Sequence, residues 1–226
     1  MRIIANYRKG EELRFISHLD IQRLLQRGLR RANIPLAYSQ GFNPHPLLSF
    51  ASALAVGYTS DAEWLDVRLS TQMDPADFMR KLNGVLPVGF RILEAKEAPE
   101  ELPTLTSLTH SALHQIELTM EQAYSLPMLQ DGLMQLLAGP IVVNKRTKGG
   151  MKDVDIRPQV LAATLKGAEE KKDGLSLSIL GVSNVNGSLN IELFMQELVR
   201  KWGLTGSWRV HRSGLYFENS DLLPHM

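Results

Sequence analysis

Two kinds of apolar spacing follow one another in the same order in each half of this chain, and that order constrains the fold more than any single motif. In the first half Arg2 to Tyr7 reads as a strand, and Ser17 to Ala32 as a helix, because Ile21, Leu24, Leu25, Gly28 and Leu29 recur at helical spacing. Ser17 followed by Asp20 resembles a capping box, and Pro35 follows the helix end. Leu47 to Val56 is apolar and small, and Glu63 to Ser70 alternates as a half-buried strand does. Asp74-Pro75 then opens a helix through Leu86, and Phe90 to Ala95 closes as a strand. In the second half Leu113 to Thr119 reads as a strand, Met128 to Leu137 as a helix, and Ile141 to Lys145 as a strand entering a basic Gly-rich loop. Gly174 to Val182 is a further strand, Ile191 to Trp202 an amphipathic helix and Trp208 to Phe217 a final strand or hairpin, with extra material from Asp153 to Lys172.

Strand, helix, strand, strand, helix, strand, used twice, predicts an α+β protein of two ferredoxin-like (βαββαβ) domains in tandem. Each would be an antiparallel sheet with both helices on one face and the other face free for a partner. Glu97 to Thr109 carries prolines and acids without periodicity, so the expected division is 1–98, a linker over 99–110, and 111–226.

The absence of cysteine excludes thiol nucleophiles, thiolate zinc sites and cysteine-ligated iron–sulfur clusters within the chain. No cofactor is expected in it. The first residues hold no apolar core of signal-peptide length, and no run approaches the roughly 18 apolar residues of a membrane span. A cytoplasmic protein without a membrane partner is expected.

A formal net charge of +1 conceals strong clustering. Arg23, Arg27, Arg30 and Arg31 stand at i, i+4, i+7 and i+8, which puts them on one helical stripe opposite Leu24, Leu25 and Leu29. Guanidiniums can clamp phosphates bidentately; a solvated face is the alternative. Lys145, Arg146, Lys148 and Lys152 surround Thr147, Gly149 and Gly150 without Walker spacing, as in an anion-binding or merely flexible basic loop. Arg200, Lys201, Arg209 and Arg212 form a third concentration, and compensating acids gather between Asp61 and Glu101. Such a bipolar molecule offers basic surface to RNA or to an acidic protein.

Tyr38-Ser39-Gln40-Gly41-Phe42-Asn43-Pro44-His45-Pro46 is stiffer than a connector needs to be, because two prolines flank His45. It could present Gln40, Phe42, Asn43 and His45 to RNA or a partner, with Gly41, Pro44 and Pro46 shaping it, or pack Phe42 into the core. Ser17 and Asp20 are expected to orient the helix start, and Asp155 and Arg157 to pair with each other or with the basic loop. Trp64, Asp66 and Arg68 share one strand face, either an RNA platform or a surface covered by neighbours. His18, Asp20 and His45 would make an acid–base set only if they converge. His110 and His114 lie too far apart along a strand to share a metal.

Arg14-Phe15-Ile16-Ser17-His18-Leu19-Asp20, Arg23, Arg30-Arg31-Ala32 and the Tyr38-to-Pro46 run resemble the bacterial radical-SAM-linked family known as DUF2344. Glu63-Trp64-Leu65-Asp66-Val67 and Arg146-Thr147-Lys148-Gly149-Gly150 with Asp153 to Pro158 resemble it too. Members of that family are fused to, or encoded beside, a cobalamin-binding-type radical SAM protein, often near ribonuclease and ribosomal-protein genes. The resemblance implies an accessory role, with a radical SAM protein as partner and RNA or a ribosomal component as the substrate class. The missing cysteines fit a helper rather than the enzyme. The leading expectation is a non-catalytic subunit that docks the enzyme and presents a substrate; the alternatives are an RNA-independent interaction module and an autonomous acid–base enzyme.

Overall fold

The computed structural model describes residues 1–147, 150–167 and 174–218. In chain order the elements are β1 (Arg2–Lys9), α1 (His18–Arg31), β2 (Leu48–Phe50), β3 (Tyr58–Arg68), α2 (Pro75–Asn83), β4 (Phe90–Ala98), α3 (Leu105–Leu108) and β5 (Thr109–Met120). They continue with α4 (Leu126–Leu137), β6 (Val142–Thr147), β7 (Gly150–Asp155), β8 (Val160–Gly167), β9 (Leu175–Asn184), β10 (Gly187–Ser188), α5 (Ile191–Trp202) and β11 (Gly206–Phe217). The class is mixed α+β. Two compact units form, Met1–His110 with His211–Met226, and Ser111–Val210, so β5 and β11 each contribute residues to both. The sequence expectation ran the second domain to residue 226, whereas the described residues from His211 to Glu218 group with the first unit.

In the first unit β1 lies between β3 and β4, antiparallel to both, and β2 and β11 pair with β3. Alternation along β1 sends Ile3, Ala5 and Tyr7 to one face, where they meet Ile21, Leu25 and Leu29 of α1 and Phe78 and Leu82 of α2 in one core cluster. Both helices therefore cover the same face. The expected strand over Leu47 to Val56 shrinks to three residues, because the Ala-Ser run after Phe50 supplies little side chain to pack. Helix α2 stops at Asn83, short of Leu86, since the Asn83 amide donates to the Ile92 carbonyl at 2.9 Å and accepts from its N–H at 2.8 Å.

The other face of this sheet was expected to be free, and over β1 and β3 it is covered. Ile4 and Trp64 are buried, Trp64 at 5% exposure with its ring edge-on to Phe217 at 5.9 Å, so it offers no stacking platform. Arg2, 2% exposed, directs Nε and Nη2 to the Asp66 carboxylate at 2.6–3.1 Å and its remaining N–H groups to the carbonyls of Pro99, Leu102 and Pro103. Arg68 pairs with Glu100 nearby. The segment expected as a linker is thereby fastened to β1.

In the second unit β9 lies between β5 and β8, antiparallel to both, β10 pairs with β9, and β11 follows β5 in the strand order. Ile116, Leu165, Leu177 and Ile179 are buried on one face, and α4 and α5 are tied where Trp202 Nε1 donates to the Leu129 carbonyl at 3.0 Å. The opposite face carries Gln115, Glu117, Ser176 and Ser178, and β5, β8 and β9 place no aromatic side chain there. Residues 142–147 do not join this sheet; they pair with β7 as a separate two-stranded ribbon, and the sheet strand is β8. Its apolar alternation is weak, since its inward positions include Ala163 and Gly167, which hides it inside the stretch read as extra material.

Candidate functional site: basic and aromatic surfaces

Helix α1 begins where Ser17 Oγ accepts the Asp20 N–H at 3.2 Å, as a capping residue does, while Asp20 Oδ2 accepts from the Ser17 hydroxyl at 2.7 Å rather than from the Ser17 backbone N–H of a full capping box. Asp20 also accepts from Arg23 at 2.9 Å, and the Ser17 and Arg23 hydrogen bonds hold its carboxyl below the ordinary value. Arg23 is thus neutralised locally, and Arg31 donates to the Val85 carbonyl. Arg27 and Arg30 are exposed and make no salt bridge among the described residues. A groove beside the stripe is lined by Asp20, Arg23, Leu24, Arg27, Gly28, Arg31, Leu86 and Pro87. Gly28 forms its close floor, since a Cβ there would stand 3.2 Å from Leu86 Cδ2.

The turn before α1 is stapled from below. Lys9, 2% exposed, donates Nζ to the carbonyls of Arg14 and Ile16 at 3.2 and 3.1 Å, and burial lowers its pKa, with Glu63 opposing. Tyr7 stacks on Phe90 at 4.8 Å, and its phenol is pushed up by burial, Glu63 adding to the shift and Arg212 opposing it. Arg14 donates to the Gly57 carbonyl at 2.7 Å and lies 5.2 Å over the Phe15 ring, leaving Phe15 75% and Leu19 62% exposed. Sequence reading missed this fixed apolar knob. Its signal was an aromatic and a leucine at i, i+4 on the polar side of the helix start.

Burial holds the His18 imidazole, edge-on to Phe50 at 4.9 Å, below its ordinary value, with Glu63 opposing and Lys9 adding to the shift. When the folded value is the lower one, the unfolded chain takes the proton first. The stability from His18 is then complete above about 6.5, the unfolded value, and is lost as pH falls through it toward the folded one. Urea midpoints are expected to fall more between about pH 7 and pH 5 in the wild type than in His18→Gln; equal slopes would contradict this.

The loop from Tyr38 to Pro46 closes on itself. Tyr38 bridges Pro46, the Ser39 N–H donates to the His45 carbonyl at 2.9 Å, and Ser39 Oγ accepts the His45 N–H at 3.1 Å and lies 2.9 Å from His45 Nδ1. Gly41 has φ +125°, which favours glycine. Pro46 is buried, whereas Gln40, Asn43, Pro44 and His45 are exposed and Phe42 is wholly so. Packing of Phe42 into the core is therefore excluded.

On the ribbon, Lys145 stands directly opposite Lys152, and Arg146 opposite Met151. None of the three cations makes a salt bridge among the described residues; Asp153, the nearest acid along β7, accepts from Asn144 at 2.8 Å instead. Lys148 lies outside the described residues. Asp155 Oδ1 fixes the ribbon's base by accepting the N–H groups of Ile141 and Arg157, both at 2.9 Å. The Arg157 side chain turns to the carbonyls of Leu137 and Val160 at 2.6 and 2.9 Å rather than to Asp155. The third basic concentration is not one surface, since Arg200 pairs with Glu197 at 2.6 Å and buried Arg212 with Glu63 at 3.0 Å.

His18 and His45 have different neighbours, Phe50 and Ser39, and Asp20 is engaged by Ser17 and Arg23. Among the described residues no three His, Asp or Glu side chains are grouped to hold a metal, and no helix is long and apolar enough to cross a membrane. No curated protein matches the chain. Residues 2–192 match the model of DUF2344, described as an uncharacterized protein conserved in bacteria, and the span includes α1, the Tyr38-to-Pro46 loop and the ribbon. By that match the chain belongs to the DUF2344 family.

Proposed function

We propose that this protein is a non-catalytic accessory subunit that docks a cobalamin-type radical SAM enzyme in the cytoplasm and holds an RNA or a ribosomal component for it. The observation that carries the RNA part is the pairing of Lys145 with Lys152 across the ribbon, beside Arg146. Like charges directly opposite each other weaken a two-stranded ribbon, and a phosphate between them reverses the sign of that interaction. Arg27 and Arg30 add cations on a rigid helix. The resemblance to a radical-SAM-linked family and the lack of cysteine support the accessory role. In each unit the strand order, β4-β1-β3-β2 and β11-β5-β9-β8, supports a ferredoxin-like reading, with the ribbon as an insertion in the second.

A second reading, an RNA-independent docking module, is favoured by Phe15 and Leu19, an exposed aromatic–aliphatic pair beside an arginine. The test is RNA affinity across a salt series. Lys145→Glu/Lys152→Glu is expected to shallow the salt slope by roughly one to two units, at about 0.7 for each single-strand phosphate that no longer meets a cation. If the protein, alone and with its radical SAM partner, shows no salt-sensitive RNA binding, the RNA part fails. Retention of the enzyme after nuclease treatment, abolished in Phe15→Ser, would then favour the docking module.

A further inference from the structure

We infer that the Tyr38-to-Pro46 loop is a docking point for one unpaired nucleobase, stacked on Phe42 and read along its edge by the amides of Gln40 and Asn43. This deepens the RNA reading above and rests on it. A wholly exposed phenylalanine on a mobile loop would fold back onto apolar surface, but this loop is prevented from doing so by its Ser39–His45 hydrogen bonds, the Tyr38–Pro46 bridge and buried Pro46. The ring is held out in advance, so little conformational entropy is lost when something covers it.

The surroundings of the ring indicate what covers it. Between Ser39 and His45 the one other apolar side chain is the Pro44 ring; the remaining neighbours of Phe42 are Gln40, Gly41 and Asn43. An aromatic anchor for a protein pocket sits among further contacts that exclude water; exposed Phe15 has exposed Leu19 one turn on, whereas Phe42 stands between Gln40 and Asn43 with only Pro44 and part of Tyr38 as apolar company. The side-chain amides of Gln40 and Asn43 make no hydrogen bond among the described residues. Each offers a donor and an acceptor, the complement of a base edge, while the ring offers the π-face that any base can stack on. Duplex RNA keeps its bases stacked inside, so the ligand is a single-stranded segment or loop.

The probes are a labelled single-stranded oligoribonucleotide and a duplex of the same length, titrated into the full chain at fixed salt. Phe42→Ala, which removes a side chain that packs on nothing, is expected to bind the single strand about tenfold to a hundredfold more weakly and the duplex unchanged. Phe42→Trp should retain affinity, and its indole fluorescence should be quenched by the single strand. Lys145→Glu/Lys152→Glu should weaken both probes. If Phe42→Ala weakens neither probe, or weakens both equally, while the lysine variant still weakens binding, the inference falls and the RNA reading stands. A wild-type chain that binds neither probe, alone or with its radical SAM partner, overturns both. Loss of the radical SAM partner from Phe42→Ala with RNA binding intact overturns the inference in favour of a protein contact.

Discussion

Replacing Asp66 with alanine is expected to destabilise the first unit by about 3–5 kcal/mol, the cost of leaving a buried charge without its counter-ion. Asp66 receives three hydrogen bonds from Arg2, whose guanidinium is enclosed by the carbonyls of Pro99, Leu102 and Pro103. Those carbonyls cannot neutralise a cation as a carboxylate does. A loss of that size is a large fraction of the roughly 5–15 kcal/mol that holds a domain folded. The urea midpoint should drop with the slope unchanged, and hydrogen exchange should rise across 99–104. Arg68→Ala, which breaks the exposed pair with Glu100, is the control at about 1 kcal/mol or less. Similar losses in the two variants would mean that Arg2 finds another partner.

Gly132→Ala should also destabilise, by about 1–3 kcal/mol, although helix propensity alone favours alanine by up to about 1 kcal/mol. A Cβ at Gly132 would stand 2.7 Å from Trp202 Cδ1 and 2.9 Å from Nε1. Trp202 cannot easily give way, because Nε1 donates to the Leu129 carbonyl one turn earlier on the same helix. Thermal unfolding checks this, with Gly139→Ala, just past the helix end, as a control for adding a Cβ that meets nothing within 4 Å. A Gly132→Ala melting temperature at or above wild type would show that α4 and α5 can part without penalty.

Local signals carried far in this sequence. Ser17 and Asp20 announce the start of α1, and the arginine stripe opposite Ile21, Leu25 and Leu29 follows from helical spacing alone. What spacing could not carry was pairing between distant residues. Asp66 reads as the exposed half of an alternating strand, and only the return of 99–104 beneath Arg2 buries it. Glu63 and Arg212 read as surface charges until β11 brings them to 3.0 Å. The ribbon was half legible, since the basic Gly-rich stretch is plain but the register that sets Lys145 against Lys152 depends on pairing. Stiffness of the Tyr38-to-Pro46 loop was legible from its prolines; the complete exposure of Phe42 was not.

The ion pair between Glu63 and Arg212 also bears on how the chain is made. These residues are 149 positions apart, so during synthesis β3 emerges with a carboxylate destined for burial and no guanidinium to receive it. The first unit cannot reach its final state when its own α1 and α2 are complete. It must wait, with the part of the β3 edge that β2 does not cover left open, until the second unit has been translated and the chain returns through His211. A long-range pairing of this kind slows folding and exposes an unsatisfied strand edge meanwhile. Chains truncated before Arg212 should therefore be more prone to aggregation than the 226-residue chain, and residues 1–110, although translated before the second unit, should be among the last to become protease-resistant.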